Sequence, residues 1–157
     1  WTFQKELFFT GLLIDDIYIT GIHYFYLNFL PITDKVKGKL DFPKMWDTDI
    51  YTYICNEIAK EKGKFLVGTK SRQKGVTTKF LVEFILRLYF MENQACKFLA
   101  YDQSYIDKSW TDILENYRNF LNTHTAYYRG FSPDKMRNWK QAVEVKDGNR
   151  KRYVGTM

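Results

Sequence analysis

An apolar run, a basic loop and an amphipathic pattern follow one another between residues 64 and 93, and this succession most constrains the fold. The run "KFLVGT" (64–69) is short and apolar, which favours a buried strand. From Thr77, "TTKFLVEFILRLYFMEN" repeats apolar residues at helical spacing. Because "CKFLAY" (96–101) predicts a second buried strand, the whole segment predicts a strand–helix–strand crossover of a parallel sheet.

Three other segments have helical spacing. Residues 1–16 predict an amphipathic helix broken by Gly11. A second helix is predicted from Asp47, with acidic residues in its first turn, lysines in its last and Gly63 just past its end. The segment 102–123 predicts a third helix, so helices flank the crossover on both sides.

The remaining segments predict strands, turns or loop. Residues 16–32 are rich in aromatic and β-branched side chains, and their periodicity fits either strands or a buried helix. Residues 33–45 combine charges with glycine and proline, which predicts a loop. Residues 139–156 predict a β-hairpin that turns at Asp147-Gly148-Asn149.

The composition limits the class of protein. The apolar fraction of 45% and the aromatic fraction of 18% exclude a disordered chain, and 157 residues fit one domain. The net charge of +6 favours polyanionic partners, nucleic acid first. Isolated Cys and His residues predict no metal site of those types and a reducing compartment. No run reaches the roughly 18 apolar residues of a membrane span.

The basic loop has most features of a phosphate-binding loop, whose usual pattern is G-x-x-x-x-G-K-[ST]. Gly75 and Thr77 occupy the positions of the second glycine and of the Mg²⁺-binding hydroxyl. Lys70 stands at the first glycine position, and Val76 replaces the lysine, a charge worth about 1.5–3 kcal/mol of phosphate binding. Lys70, and less directly Lys74, could supply that charge. The alternative is a basic strand-to-helix turn in which Thr77 only caps the helix.

The segment "KSRQKGVTT" (70–78) resembles the deviant Walker A motif of terminase large subunits, the DNA-packaging motors of tailed double-stranded DNA phages. The likeness extends over roughly residues 20–125. It implies an α/β, RecA/ASCE-like P-loop NTPase fold with three layers, a parallel sheet core, an N-terminal helical and aromatic segment and a C-terminal β-hairpin. Residues 1–45 would lead into the ATPase core, and residues 46–157 would form an incomplete P-loop ATPase domain.

The resemblance also assigns roles to single residues. Lys70 corresponds to the displaced phosphate lysine and Arg72 to the arginine that senses the γ-phosphate, and both are expected to be catalytic. Thr77 would hold Mg²⁺. The nucleotide site would comprise Lys70, Ser71, Arg72, Gln73, Lys74, Gly75, Val76, Thr77, Thr78 and, on the adenine side, Trp46. A packing aromatic is the alternative for Trp46.

Two parts of such a motor have no match here. No apolar strand ending in Asp-Glu follows residue 101, and the family's metal-binding nuclease domain is missing as well. Because the chain starts at Trp1 and ends at "RKRYVGTM", we expect a fragment of a longer protein. That protein would be an ATP hydrolase and DNA endonuclease, whereas the fragment alone would be inactive.

The resemblance implies ATP and Mg²⁺ as cofactors and double-stranded DNA as the translocated partner. It further implies contacts with the portal protein and the small terminase subunit, a homo-oligomeric ring, no membrane, and the host cell cytoplasm. One alternative is a non-catalytic nucleic-acid-binding module, with "HYFYLNF" (23–29) and the basic tail 147–155 as stacking and cationic surfaces, although such aromatics more often form a core. Another P-loop ATPase, such as a helicase, is the third interpretation.

Overall fold

The computed structural model describes residues 1–34, 38–68, 75–92, 94, 96–100, 102–128, 143–147 and 150–156. The chain forms two compact units, Trp1–Val82 and Glu83–Met157. The boundary between them falls inside helix α4 (Val76–Phe90). Across the described ranges, no helix is long and apolar enough to cross a membrane.

The first unit begins with two short helices joined by a hairpin. Helix α1 spans Thr2–Thr10, strands β1 and β2 span Leu12–Ile14 and Ile17–Ile19, and helix α2 spans Gly21–Phe29. A Cβ on Gly21 would lie 2.1 Å from the carbonyl oxygen of Phe8, so only glycine permits α1 and α2 to approach this closely. Leu7, Phe8, Ile22, Phe25 and Leu30 are buried and form the core between these elements.

A second hairpin and a long helix complete the first unit before α4 begins. Strands β3 (Ile32–Asp34) and β4 (Lys39–Asp41) pair antiparallel, and helix α3 spans Asp47–Glu61. Asp47 and Asp49 lie in the first turn of α3 and Lys60 in its last, the distribution that the helix dipole favours.

The second unit packs a helical segment with a three-stranded sheet. Strand β5 (Lys97–Ala100) pairs with β7 (Arg150–Thr156), and β7 pairs with β6 (Val143–Asp147); both pairings are antiparallel. Helices α5 (Gln103–Ser109) and α6 (Asn116–His124) are joined by a π-helical turn, Trp110–Glu115. The buried core of this unit consists of Ile85, Leu86, Phe90, Cys96, Ile106, Leu114, Tyr117 and Leu121.

Most of the predicted helices are confirmed. The helix from Asp47, the helix that begins after Gly75, and the helical segment after residue 102 are all present. The first helix ends before Gly11, as its sequence predicts, but Leu12 and Leu13 lie in β1 and not in a helix. The ambiguous segment 16–32 contains both alternatives, the strand β2 followed by the helix α2.

The predictions for strands and loops are less accurate. The β6–β7 hairpin is confirmed, with Asp147 opposite Arg150 and the two turn residues outside the described ranges. The loop prediction for 33–45 is wrong at residues 33 and 34, which belong to β3, and at β4.

The buried strand predicted at 64–69 is also wrong for residues 64–68, which form no regular structure. Phe65 there is 98% exposed. A strand needs a hydrogen-bonded neighbour, and no described strand pairs with this segment. Every pairing that the described ranges contain is antiparallel. The P-loop fold with a parallel core, and the division at residue 45, stay predictions.

Candidate functional site

The candidate site lies where the predicted phosphate loop joins helix α4. Five residues of the predicted loop, Lys70, Ser71, Arg72, Gln73 and Lys74, lie outside the described ranges. The structure therefore places the last part of the predicted site, Gly75 to Thr78, and the separate residue Trp46.

Gly75 has a left-handed backbone, with φ of 65°, directly before the first residue of α4. This conformation disfavours side chains, so glycine suits this position. The carbonyl oxygen of Gly75 accepts a hydrogen bond of 3.1 Å from the amide of Lys79, which closes the first turn of the helix. Thr77 is exposed in that turn, whereas Val76 and Thr78 are half-buried.

This local geometry can bind an anion. The first amides of a helix have no intrahelical acceptor, and the helix dipole places partial positive charge at the same end. A phosphate at the start of α4 would meet both features, and the exposed hydroxyl of Thr77 is an oxygen ligand of the type that Mg²⁺ prefers. The start of α4 therefore has amides and a hydroxyl of the kind that contact a phosphate and its metal ion.

A buried ion pair lies one helical turn below Gly75. Lys79 Nζ contacts Asp49 Oδ1, and the two side chains are only 8% and 3% exposed. Asp49 belongs to the first turn of α3, so this pair connects the first turns of α3 and α4. Charged groups that are buried this deeply require a partner of opposite charge, and Asp49 and Lys79 are each other's partner.

Trp46 lies directly before the first residue of α3. Its carbonyl oxygen accepts hydrogen bonds from the amides of Asp49, at 2.8 Å, and Ile50, at 3.3 Å, and thereby caps α3. The Trp46 side chain is 64% exposed, so it is not a core aromatic. Trp46, which is predicted for the adenine side, thus precedes α3, and Gly75 of the predicted loop precedes α4. The Asp49–Lys79 ion pair joins these two helices.

His23 and Tyr53 extend the buried polar region. The His23 ring stacks on Tyr53 of α3 with 4.8 Å between ring centroids and an interplanar angle of 25°. His23 is fully buried, and in the described part of the chain neither ring nitrogen has a hydrogen-bond partner. Burial lowers the pKa of His23 to about 4, while Asp49 raises this pKa and Lys79 lowers it to smaller extents. We name His23, Asp49, Tyr53 and Lys79 the polar junction.

Burial keeps both His23 and the neighbouring Tyr26 in their neutral forms at neutral pH. The low pKa keeps His23 neutral, and burial, followed by the charge of Asp49, raises the pKa of the nearby Tyr26 to about 12. Neither group exchanges a proton near pH 7. The ammonium of Lys79 is engaged by Asp49.

Three further observations concern the cysteines, the side chains that could bind metal, and the aromatic segment 23–29. Cys55 and Cys96 are free thiols. Among the described residues, no group of three or more His, Cys, Asp or Glu side chains could hold a metal ion. In the aromatic segment 23–29, Phe25 and Tyr26 are buried, so these two rings belong to the core and offer no stacking surface.

Sequence reasoning missed the polar junction. Neither Asp49 nor Lys79 is among the predicted site residues. One signal was available: Lys79 lies three and seven residues before the apolar Val82 and Leu86, which places a charge on the stripe that α4 buries. A charge in such a stripe indicates a buried partner.

Comparisons of the chain with protein-family models, with curated proteins and with solved structures gave no match.

Proposed function

We propose that the chain is the N-terminal ATPase-domain part of a phage terminase large subunit. In this proposal, the loop 70–78 binds ATP–Mg²⁺, and hydrolysis by the complete protein drives double-stranded DNA into the procapsid. The start of α4 is the observation that carries the proposal. There Gly75 is left-handed, the exposed Thr77 lies in the first turn, and both follow a loop sequence that resembles a deviant Walker A motif.

Each residue of the site has a role in the proposal. Lys70 supplies the charge that Val76 lacks, and Arg72 contacts the γ-phosphate. Bound Mg²⁺, held through Thr77, would neutralise charge that develops on the phosphates. Ser71, Gln73, Lys74 and Thr78 contribute polar loop contacts, and Trp46 is assigned to the adenine side, where its exposed ring is available for stacking.

The proposal also covers the partners, the assembly and the cellular location of such a motor. Its partners would be DNA, the portal protein and the small terminase subunit, its assembly a homo-oligomeric ring, and its location the host cell cytoplasm. The formal net charge of +6 supports a polyanionic partner.

The binding of Mg²⁺–ATP, measured by isothermal titration calorimetry, tests the proposal. Lys70→Ala should weaken binding by about 10- to 150-fold, the equivalent of a lost charge-assisted contact. Lys62→Ala is the matched control, because Lys62 is an exposed cation of the same unit. Lys79→Ala is a poor control because it would leave Asp49 buried without its partner.

A second variant separates a displaced lysine from a general effect of charge. Val76→Lys restores the usual phosphate-loop lysine and should recover binding in the Lys70→Ala background. The proposal fails if the wild-type chain binds no Mg²⁺–ATP. The idea of a displaced lysine fails if Lys70→Ala and Lys62→Ala have equal effects.

One observation favours the second candidate function, a nucleic-acid-binding module without catalysis. That observation is the formal net charge of +6, which a bound polyanion such as nucleic acid would compensate. Titration with a DNA oligonucleotide at several salt concentrations tests this candidate, since affinity should fall with salt. DNA binding without nucleotide binding would favour it over the ATPase.

A further inference from the structure

The choice of residues in the Asp49–Lys79 pair is not explained by the stability of the fold. Lys79 lies in the first turn of α4, where the helix dipole disfavours a cation. The pair is buried, and burial removes both charges from water. An apolar pair of similar volume often stabilises a protein as well or better.

The pair does define geometry. The amide of Lys79 bonds to the Gly75 carbonyl, its ammonium contacts Asp49, and the amide of Asp49 bonds to the Trp46 carbonyl. These three polar contacts form a continuous connection between the end of the predicted loop and the start of α3. Unlike apolar contacts, charged and hydrogen-bonded contacts have strong preferences in distance and direction.

We infer that Asp49 and Lys79 are positioning residues of the nucleotide site. They hold the start of α4, with Gly75 and Thr77, in one arrangement relative to the start of α3, with Trp46. This inference rests on the proposed function. Neither residue touches the nucleotide.

The double variant Asp49→Leu/Lys79→Met tests the inference because it substitutes apolar side chains of similar shape and removes both charges. Three quantities are measured: the denaturant midpoint, the hydrogen-exchange rates of the Ile50 and Phe80 amides, and the affinity for Mg²⁺–ATP. We expect an unchanged or higher midpoint, about tenfold faster exchange of both amides, and about tenfold weaker binding. A purely structural role would not change affinity at constant stability.

Two further variants serve as controls. Glu61→Leu/Lys62→Met removes two exposed charges from the last turn of α3 and its cap, and it should change none of the three quantities. Lys79→Arg keeps a cation opposite Asp49 and should retain nucleotide affinity. If the double variant does not fold, Asp49→Asn/Lys79→Gln, which replaces both charges with neutral polar side chains, takes its place with the same expectations for exchange and affinity.

The outcomes separate this inference from the proposed function. Unchanged exchange at Ile50 and Phe80 overturns the inference, whether or not nucleotide binds. Faster exchange with unchanged affinity also overturns it, because the pair would then order the helices without serving the site. A wild-type chain that binds no Mg²⁺–ATP overturns the proposed function and, with it, the nucleotide role of the pair. The exchange rates still decide whether the pair orders the two helix starts.

Discussion

Helices α3 and α4 have the same length, 15 residues, but they bury opposite kinds of surface. In α3 the buried residues are Asp49, Tyr53 and Asn56, while Tyr51 is 70% exposed. In α4 most of the buried residues are aliphatic, including the fully buried Val82, Ile85 and Leu86, and Lys79 and Glu83 accompany them.

The contrast shows that helical spacing of apolar residues predicts a helix more reliably than it predicts the buried face. Apolar residues of α3 recur at positions such as Ile50, Tyr51, Ile54 and Ile58, yet the helix turns its polar stripe inward. Two members of that stripe contact residues of other elements: Tyr53 stacks on His23, and Asp49 pairs with Lys79. A partner on another element therefore decides which face is buried.

The largest expected effect comes from breaking the polar contact between the two helices. Lys79→Ala should lower the free energy of unfolding by about 3–5 kcal/mol, because Asp49 would keep a buried charge without its partner. Urea denaturation measures the loss. The exposed control Lys62→Ala should change it by less than about 0.5 kcal/mol. Equal losses in the two variants would contradict a buried pair.

The next effect concerns the apolar face of α4. Leu86 is fully buried, so Leu86→Ala should cost about 2–5 kcal/mol of unfolding free energy through lost burial and a cavity. Ile58 of α3 is 43% exposed, and Ile58→Ala should cost clearly less. If the two costs were similar in urea denaturation, α3 would bury its apolar face after all.

A third effect depends on pH and belongs to the polar face of α3. The pKa of His23 is about 4 in the folded chain, below its ordinary value of 6.5, so the unfolded chain binds a proton first as the pH falls. Stability should therefore decrease as the pH falls from about 6.5 to about 4, and this contribution should level off below that range. A pKa difference of this size corresponds to about 3 kcal/mol.

Comparison with variants isolates this contribution. His23→Gln lacks the titrating ring, so its stability should fall less than that of the wild type between these pH values. Identical pH profiles of His23→Gln and the wild type would show that His23 is not buried in its neutral form.

The smallest effect compares the starts of the two helices. Gly75 has a φ of 65°, so Gly75→Ala should lower the free energy of unfolding by about 1–2 kcal/mol. Trp46 caps α3 through its backbone, with a φ of −125° that any residue adopts, and its ring is exposed. Trp46→Ala should therefore change stability by less than about 0.5 kcal/mol. An equal loss in both variants would contradict the left-handed turn.

Local sequence signals predict the local features of this molecule well. Apolar spacing and Gly63 define α3, and the pattern after Gly75 defines α4. The hairpin of β6 and β7 follows from its turn residues in the same way. These elements depend on residues close in the chain, so one sequence contains the necessary information.

Features that depend on distant partners could not be predicted in this way. "KFLVGT" has the composition of a buried strand, but residues 64–68 are exposed, because no described strand offers them hydrogen bonds. The Asp49–Lys79 contact joins residues 30 positions apart, and no local pattern specifies which acidic residue meets which lysine. Of the candidate site, Gly75 and Thr77 follow from local spacing, whereas the polar junction does not.

The buried ion pair has a consequence for how this sequence can diverge. Replacement of Asp49 or Lys79 alone leaves an unpaired charge in the interior. Replacement of both by apolar residues at the same time does not. Among descendants of this sequence, the two positions should therefore change together or not at all. Exposed sites such as Lys62 carry no such restriction, so drift there would proceed one residue at a time.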